Sequence, residues 1–263
     1  HNTPPPNPTP MLLTCIGTGT AVPQPDRVCS GFLIEGHGLR MLFDCGPGVL
    51  HSMARLGVDW QTITHLCLTH FHNDHIGDVP ALFFAWKHGM RPARKEPLTI
   101  FGPKGTKRKL VRMAKLFGDH ISEPTFELEI RELVDEREVR LNDVAELSAR
   151  RTPHTDRSIA FRLEASGRSF CYTGDTGFSD EVAVFVQSAD VLLTECSLPD
   201  GAGMETHLTP SKVAAMARVS LPRRLLVTHI YPQLDRAEVP QLVREGGWPA
   251  EVHVVRDGEK IDV

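Results

Sequence analysis

Short apolar runs, broken by glycine, proline and charged clusters, set the rhythm of the chain, and most have the length of a strand. Met11-Leu12-Leu13-Thr14-Cys15-Ile16 predicts a first strand, and Gly17-Thr18-Gly19 a tight turn into a second. Gly31–Glu35 and Arg40–Asp44 predict a hairpin across Gly36-His37-Gly38. Pro47 and Gly48 lead into a short helix, Val49–Leu56, which Gly57 stops. Ile63–Leu68 is largely apolar and opens on the β-branched Ile63 and Thr64, as in a buried strand. A helix opens at Val79 with Pro80 in its first turn and ends near Gly89.

The second part repeats the pattern. Leu98–Phe101 predicts a strand. A helix follows with Lys104, Lys107, Arg108, Lys109, Arg112 and Lys115 on its polar side and an apolar stripe of Leu110, Val111, Ala114 and Phe117. Phe126–Arg151 reads as strands with charged outer faces. Ile159–Glu164 and Arg168–Tyr172 form a hairpin over Ser166-Gly167. Val182–Val186 is helical, Val191–Glu195 a strand, and Lys212–Val219 a helix with Thr209 as its N-cap and Pro210 at its first position. Leu225–Thr228, Val252–Val255 and Glu259–Val263 complete the strands. No linker or shift of composition divides the chain. A single domain over 11–263, preceded by an extended proline-rich lead over 1–10, is the expected organisation.

Composition narrows the function. With 263 residues, 41% hydrophobic and 24% charged, the chain has ordinary globular proportions. A net charge of −4 supplies no global field for nucleic acid. No apolar run reaches spanning length and no signal-peptide pattern opens the sequence, so a cytoplasmic protein without a membrane partner is expected. The six cysteines form no CxxC pair and most fall in apolar runs, as packing residues do. Gly17-Thr18-Gly19 is not a nucleotide loop, because Pro23 and Pro25 forbid the helix that would receive the phosphate.

Candidate chemistry concentrates after the strand Ile63–Leu68, where His70, His72, Asp74 and His75 fall on a strand-to-helix turn. Turns of this kind, at the carboxyl ends of strands, are where α/β proteins place their sites. In an extended segment His70 and His72 point the same way, while Asp74 and His75 can face a second point. Imidazole and carboxylate suit catalytic zinc, with manganese and iron also accepted.

This stretch resembles the HxHxDH signature of the metallo-β-lactamase superfamily. Further along, Pro153-His154-Thr155, Thr173-Gly174-Asp175 and Thr228-His229 supply the later ligands in the family's order, and Gly17-Thr18-Gly19-Thr20-Ala21-Val22-Pro23 is similar to the start of its tRNase Z-like branch. The resemblance implies an αββα four-layer sandwich holding two divalent metal ions. His70, His72 and His154 hold one, Asp74, His75 and His229 the other, and Asp175 bridges them. It further implies that Asp44 supports the site from beneath, in a DCGPG run that lacks one acidic position of the branch's DCGEG. It implies that two dications bring a shared water's pKa to around neutrality, supplying a hydroxide nucleophile that Asp74 could orient. Glu195 and His207, in Thr194-Glu195-Cys196-Ser197 and Thr206-His207-Leu208-Thr209, resemble the Glu–His pair of tRNase Z and the phosphoribosyl cyclic phosphodiesterases. In that role His207, steadied by Glu195, protonates the leaving alkoxide. The basic helix after Leu98–Phe101 is either a solvated face or a surface for a phosphate-bearing substrate.

The leading expectation is a phosphodiesterase for small or cyclic phosphodiesters. An esterase or lactonase is the alternative, as is a tRNA 3′-processing endonuclease without its arm; a non-enzymatic metal-binding module ranks behind them. Only a short hairpin separates His154 from Asp175, which leaves no room for the arm that grips tRNA, so tRNA is not expected as a partner. A homodimer is left open.

Overall fold

The computed structural model describes residues 10–133, 138–202 and 204–263. All of the predicted lead except Pro10, and 134–137 within the strand run Phe126–Arg151, lie outside the described residues.

Two seven-stranded sheets face each other, with helices on both outer surfaces, which is the four-layer αββα sandwich. The first sheet holds β1 (Leu12–Gly17), β2 (Gly31–Gly36), β3 (Leu39–Phe43), β4 (His65–Cys67), β5 (Leu98–Gly102) and β6 (Leu128–Glu132). The second holds β7 (Val139–Arg140), β8 (Ala145–Arg151), β9 (Ile159–Ala165), β10 (Arg168–Tyr172), β11 (Val191–Glu195), β12 (Leu225–Thr228) and β13 (Val252–Val254). The last strand, β14 (Lys260–Asp262), returns to the first sheet beside β1. The spatial orders are β14-β1-β2-β3-β4-β5-β6 and β13-β12-β11-β10-β9-β8-β7. β3 to β6 and β10 to β13 run parallel, while the other pairs are antiparallel.

Alternation along the strands builds the layers. On β3, Met41 and Phe43 enter the core between the sheets while Leu42 meets the outer helices. On β11, Val191 and Leu193 face the other sheet and Leu192 faces outward. Both faces of the central strands are covered, so their sequences are largely apolar. The inter-sheet core centres on Phe43, which meets Phe161 and Phe170 edge-on with centroids 5.7 and 5.5 Å apart. A buried side chain of this size contributes about 1.5–3 kcal/mol.

Outside the first sheet lie α1 (Val49–Arg55), α2 (Asn73–Ile76), α3 (Val79–Phe84), α4 (Thr106–Phe117) and α5 (Asp119–Ser122). α6 (Asp180–Phe185), α7 (Pro210–Ser220) and α8 (Val239–Glu245) cover the second. The sequence pattern gives neither α5 nor α8; both are short and take their stability from packing rather than from a clear amphipathic period. Three further expectations are corrected. The tight turn after β1 is a longer excursion from Thr18 to Ser30. It is fastened by a distant carboxylate: Asp257 accepts from Thr18 N at 2.8 Å and from Val28 N at 2.8 Å. The apolar stripe of α4 is Leu110 with Met113 and Ala114, whereas Val111 and Phe117 are exposed. Val111 lies one step, a hundred degrees or so, around the helix from Leu110, and Phe117 overhangs its last turn. Thr209 makes no side-chain cap on α7; the Asp200 carboxylate accepts from Ser211 N instead, at 3.2 Å.

Candidate metal centre

Every predicted ligand lies at or just beyond the carboxyl end of a strand, and all converge on the rim where the two sheets meet. β4 leads into His70, His72 and α2, β8 into His154, β10 into Asp175, and β12 into His229. Close backbone approach holds the rim together. A Cβ on Gly174 would lie 2.7 Å from Thr69 Cβ, so only glycine lets β10 end this near the histidine turn. A Cβ on Gly46 would lie 1.9 Å from the Asp74 carbonyl oxygen. There Cys45 N donates to His75 O at 2.7 Å, joining the loop after β3 to α2. Asp44 and His229 are non-glycine residues at φ 58° and 53°. That left-handed backbone costs of the order of 1 kcal/mol or more and survives only where surrounding contacts enforce it.

The side chains form two adjoining groups. His70, His72, His154 and Asp175 make the first, and Asp74, His75 and His229 the second. In the first, His72 Nδ1 lies 3.1 Å from His70 Nε2 and 3.0 Å from His154 Nε2. In the second, His75 Nε2 and His229 Nε2 are 3.4 Å apart, and Asp74 Oδ2 is 3.3 Å from the latter. Asp175 spans both: Oδ2 is 3.8 Å from His70 Nε2 and 3.7 Å from His154 Nε2, while Oδ1 is 3.3 Å from His75 Nε2 and 3.6 Å from His229 Nε2. The resemblance-based ligand set is thus brought together in full, with Asp175 between its halves.

The outward-facing ring nitrogens show what these groups are built to hold. His154 Nδ1 donates to the Thr206 carbonyl at 2.9 Å, and His75 Nδ1 donates to Asp44 Oδ2 at 2.8 Å. Ser197 Oγ, whose proton goes to the His229 carbonyl, accepts from His229 Nδ1 at 3.0 Å. Thr69 Oγ1 donates to Asp44 and accepts from His70 Nδ1 at 3.0 Å. Each ring so fixed turns its Nε2 inward, bare wherever the ring is neutral. With the rings neutral, lone pairs and carboxylate oxygens face one another. The buried Asp175 Oδ1 has no hydrogen-bond partner. Such a set is repulsive without a cation at its centre. The 3.0–3.4 Å spacing of its nitrogens also matches the edge, roughly 3.3 Å, of a tetrahedron of ligands about 2.0–2.1 Å from zinc. The residues fit divalent metal ions.

Burial pushes the pKa of His70 well down, helped by His75, and burial with neighbouring His154 lowers that of His72. Both rings are thereby kept neutral and able to ligate. At His75 burial acts the same way, but Asp175 and Asp44 overcome it and hold its pKa well above the ordinary range. Asp175 is the reverse case: burial raises its pKa, and His229 and His75 outweigh it and hold the carboxyl well below the usual range.

Beside this centre sits the predicted Glu195–His207 pair. His207 is 8% exposed; its Nδ1 donates to Glu195 Oε1 at 2.9 Å and its ring lies 4.7 Å from that of His154. Burial disfavours the imidazolium, but the hydrogen bond and charge of Glu195 outweigh it and raise the His207 pKa. Glu195 does more than steady that ring. Its Oε1 also accepts from Thr176 N at 2.7 Å, and its Oε2 from Ser197 N at 3.2 Å and Leu208 N at 3.1 Å.

Asp44, fully buried, gathers His75, Thr69 and the Tyr172 hydroxyl, which donates to Oδ2 at 3.0 Å. The parts played by Tyr172, Ser197 and the Thr206 carbonyl are not visible in the sequence, because each acts across a sheet or loop on a residue remote in the chain. Tyr231, half-buried with its ring 5.5 Å from His229, is likewise missed. His51 is exposed on α1 and takes no part, as expected. The cysteines are free and all but Cys29 are buried, in keeping with a packing role. No helix among the described residues is long and apolar enough to cross a membrane.

The β-lactamase superfamily domain model matches residues 39–230. An uncharacterised protein of Mycobacterium leprae is 31% identical over 260 residues, covering 96% of this chain and 89% of its own. Ribonuclease Z of Haloferax volcanii is 29% identical, covering 96% of this chain and 95% of its own. Among solved structures, the metallo-β-lactamase fold protein YhfI of Bacillus subtilis superposes with a TM-score of 0.83 at 21% identity, over 97% of this chain and 100% of its own.

Proposed function

This chain belongs to the metallo-β-lactamase superfamily of metal-dependent hydrolases, and on that premise we propose that it is a dinuclear phosphodiesterase acting on small or cyclic phosphodiesters. The observation that carries the reading is the buried Glu195–His207 pair set against the ligand groups. Ester and lactone hydrolysis can proceed without such an acid, whereas a phosphodiester expels an alkoxide that leaves poorly unless protonated.

When bound, the two metal ions lower the pKa of water and neutralise charge developing on phosphoryl oxygens. His70, His72 and His154 would hold one, Asp74, His75 and His229 the other, with Asp175 shared. Zinc suits these ligands, as manganese or iron also would. Asp74 offers a carboxylate oxygen at the reacting centre, able to orient an attacking water. His207 keeps its Nδ1 proton on Glu195, which leaves Nε2 to deliver a proton to the departing oxygen. The raised pKa keeps that proton available near neutrality.

The substrate is small in this reading. His154 and Asp175 are joined by β9 and β10 alone, through a two-residue turn with Ser166 at φ 50° and Gly167 at φ 77°. The alignment to the H. volcanii ribonuclease Z spans 309 positions against the 263 residues here, so that relative carries residues with no counterpart in this chain. The test is a substrate panel on the metal-loaded protein: bis-p-nitrophenyl phosphate, p-nitrophenyl acetate and a lactone. Diester turnover at least tenfold above that on the other two is expected; a preference for the acetate or lactone would replace this reading with the esterase one.

A further inference from the structure

His72 is the exposed member of the ligand set, and it forms one wall of a cavity of ≈310 Å³. Phe71 stands beside it on the same turn, and the other walls are α4 and the segment just after His154, which contribute Arg108, Lys109, Arg112 and Arg157. Among the described residues, Arg108 and Arg112 face no carboxylate within ion-pair reach. Arg157 pairs with Asp156 at 3.4 Å, and that exposed aspartate is the one acidic side chain on the lining. Two features hold the cations in place. Lys109 Nζ sits 5.2 Å above the Phe71 ring, a cation–π contact that limits the freedom of an otherwise flexible ammonium. The Arg157 guanidinium lies over Gly105, where a Cβ would come within 2.7 Å of Nη1, so the glycine leaves room for it beside the start of α4. A net positive cavity opening directly onto the metal-ligand rim, in a chain of net charge −4, departs from a uniformly solvated helix face.

We propose that this cavity is a subsite for a second phosphate group of the substrate, so that the preferred phosphodiester carries another phosphate beside the scissile one. The proposal rests on the phosphodiesterase reading for its biological sense, but its physical content is anion recognition next to the metal centre. Paired guanidinium groups bind phosphate oxygens through charge-assisted, bidentate hydrogen bonds. The other cations of α4, Lys107 and Lys115, do not line the cavity and lie outside the subsite.

The probes are thymidine 3′,5′-bisphosphate and thymidine 5′-monophosphate, two monoesters that a phosphodiesterase does not consume, titrated calorimetrically into the metal-loaded protein. The bisphosphate is expected to bind at least tenfold more tightly, with a ratio that shrinks as salt rises. Arg108→Ala with Arg112→Ala should bring the ratio close to one at unchanged metal content. Arg108→Lys with Arg112→Lys should restore part of it. Lys107→Ala with Lys115→Ala, an equal loss of charge on the same helix, should leave it as in the parent. Equal affinities in the parent protein, or a ratio lowered as much by the lysine pair as by the arginine pair, would overturn the subsite. Turnover of bis-p-nitrophenyl phosphate by the same preparation reports separately on the phosphodiesterase reading. A bisphosphate preference without any diester turnover would leave the subsite standing and remove that reading.

Discussion

Glu195→Gln tests whether the acid pair is a catalytic ornament or part of the frame. From sequence alone the change reads as a weaker version of removing His207. The structure gives a different answer, because four donors converge on the carboxylate: Thr176 N and His207 Nδ1 on Oε1, Ser197 N and Leu208 N on Oε2. An amide has one oxygen and one NH2. If the NH2 takes the place of Oε2, two backbone N–H groups lose their acceptor. If it takes the place of Oε1, His207 can respond by moving its proton to Nε2, and only Thr176 N is stranded. The cheaper arrangement leaves one buried donor unpaired, at about 1–3 kcal/mol. For a chain of this size that corresponds to a fall in Tm of roughly 2–4 °C per kcal/mol. His207→Ala removes one donor from Glu195 and leaves its three backbone bonds intact, so it should cost less stability. The assay is thermal unfolding of both metal-loaded variants beside the parent, with metal content measured on each. Glu195→Gln as stable as the parent, or more stable than His207→Ala at equal metal occupancy, would refute this structural role of the Glu195 carboxylate.

Three other outcomes follow from the site. His207→Ala should keep its metal ions and lose about a hundredfold to ten-thousandfold on diesters with alkyl leaving groups, but much less on a p-nitrophenyl diester, whose leaving group departs as the anion; equal losses on both would make His207 a binding group rather than an acid. Elemental analysis should find two divalent ions per chain, and chelation should abolish turnover; one ion or none in an active, chelator-resistant protein would contradict the shared role of Asp175. Precursor tRNA should be cleaved poorly beside small phosphodiesters, and efficient, salt-sensitive 3′ trimming would show that RNA is gripped without an arm.

The sandwich and the candidate ligands were legible through the family resemblance, and the motifs that carry it were recognisable for a local reason. A strand end and the turn that follows it are adjacent in sequence, so each ligand appears beside the apolar run that positions it, as at Leu68-Thr69-His70 and Val227-Thr228-His229. What escaped depends on partners far away in the chain. The Tyr172 hydroxyl reaches Asp44 from the opposite sheet, Asp257 fastens Thr18 and Val28 from near the C-terminus, and Asp200 replaces Thr209 at the start of α7. A polar residue's choice of partner is set by tertiary approach, and no periodicity encodes it. The stripe of α4 was misplaced because Val111 and Phe117 are apolar yet stand outside the arc that meets the sheet, and a lone exposed apolar side chain leaves no signature in a pattern.

The centre itself is asymmetric, and the asymmetry bears on how it works. His70 and His75 are fully enclosed and His229 nearly so, whereas His72 opens to solvent. The enclosed rings are those pinned through their outer nitrogens by Thr69, Asp44 and Ser197, so that side of the site is rigid and already oriented. His72 uses Nδ1 toward its neighbours and has no such pin in the site's interior. On the proposed function the substrate arrives from the exposed His72 side, where the cations of α4 stand, with the His207 ring close against that of His154. Under that proposal, rigid ligands behind, His207 as proton donor at the edge and positive charge at the entrance form a sequence suited to an anion that must be held, attacked and relieved of an alkoxide in one place.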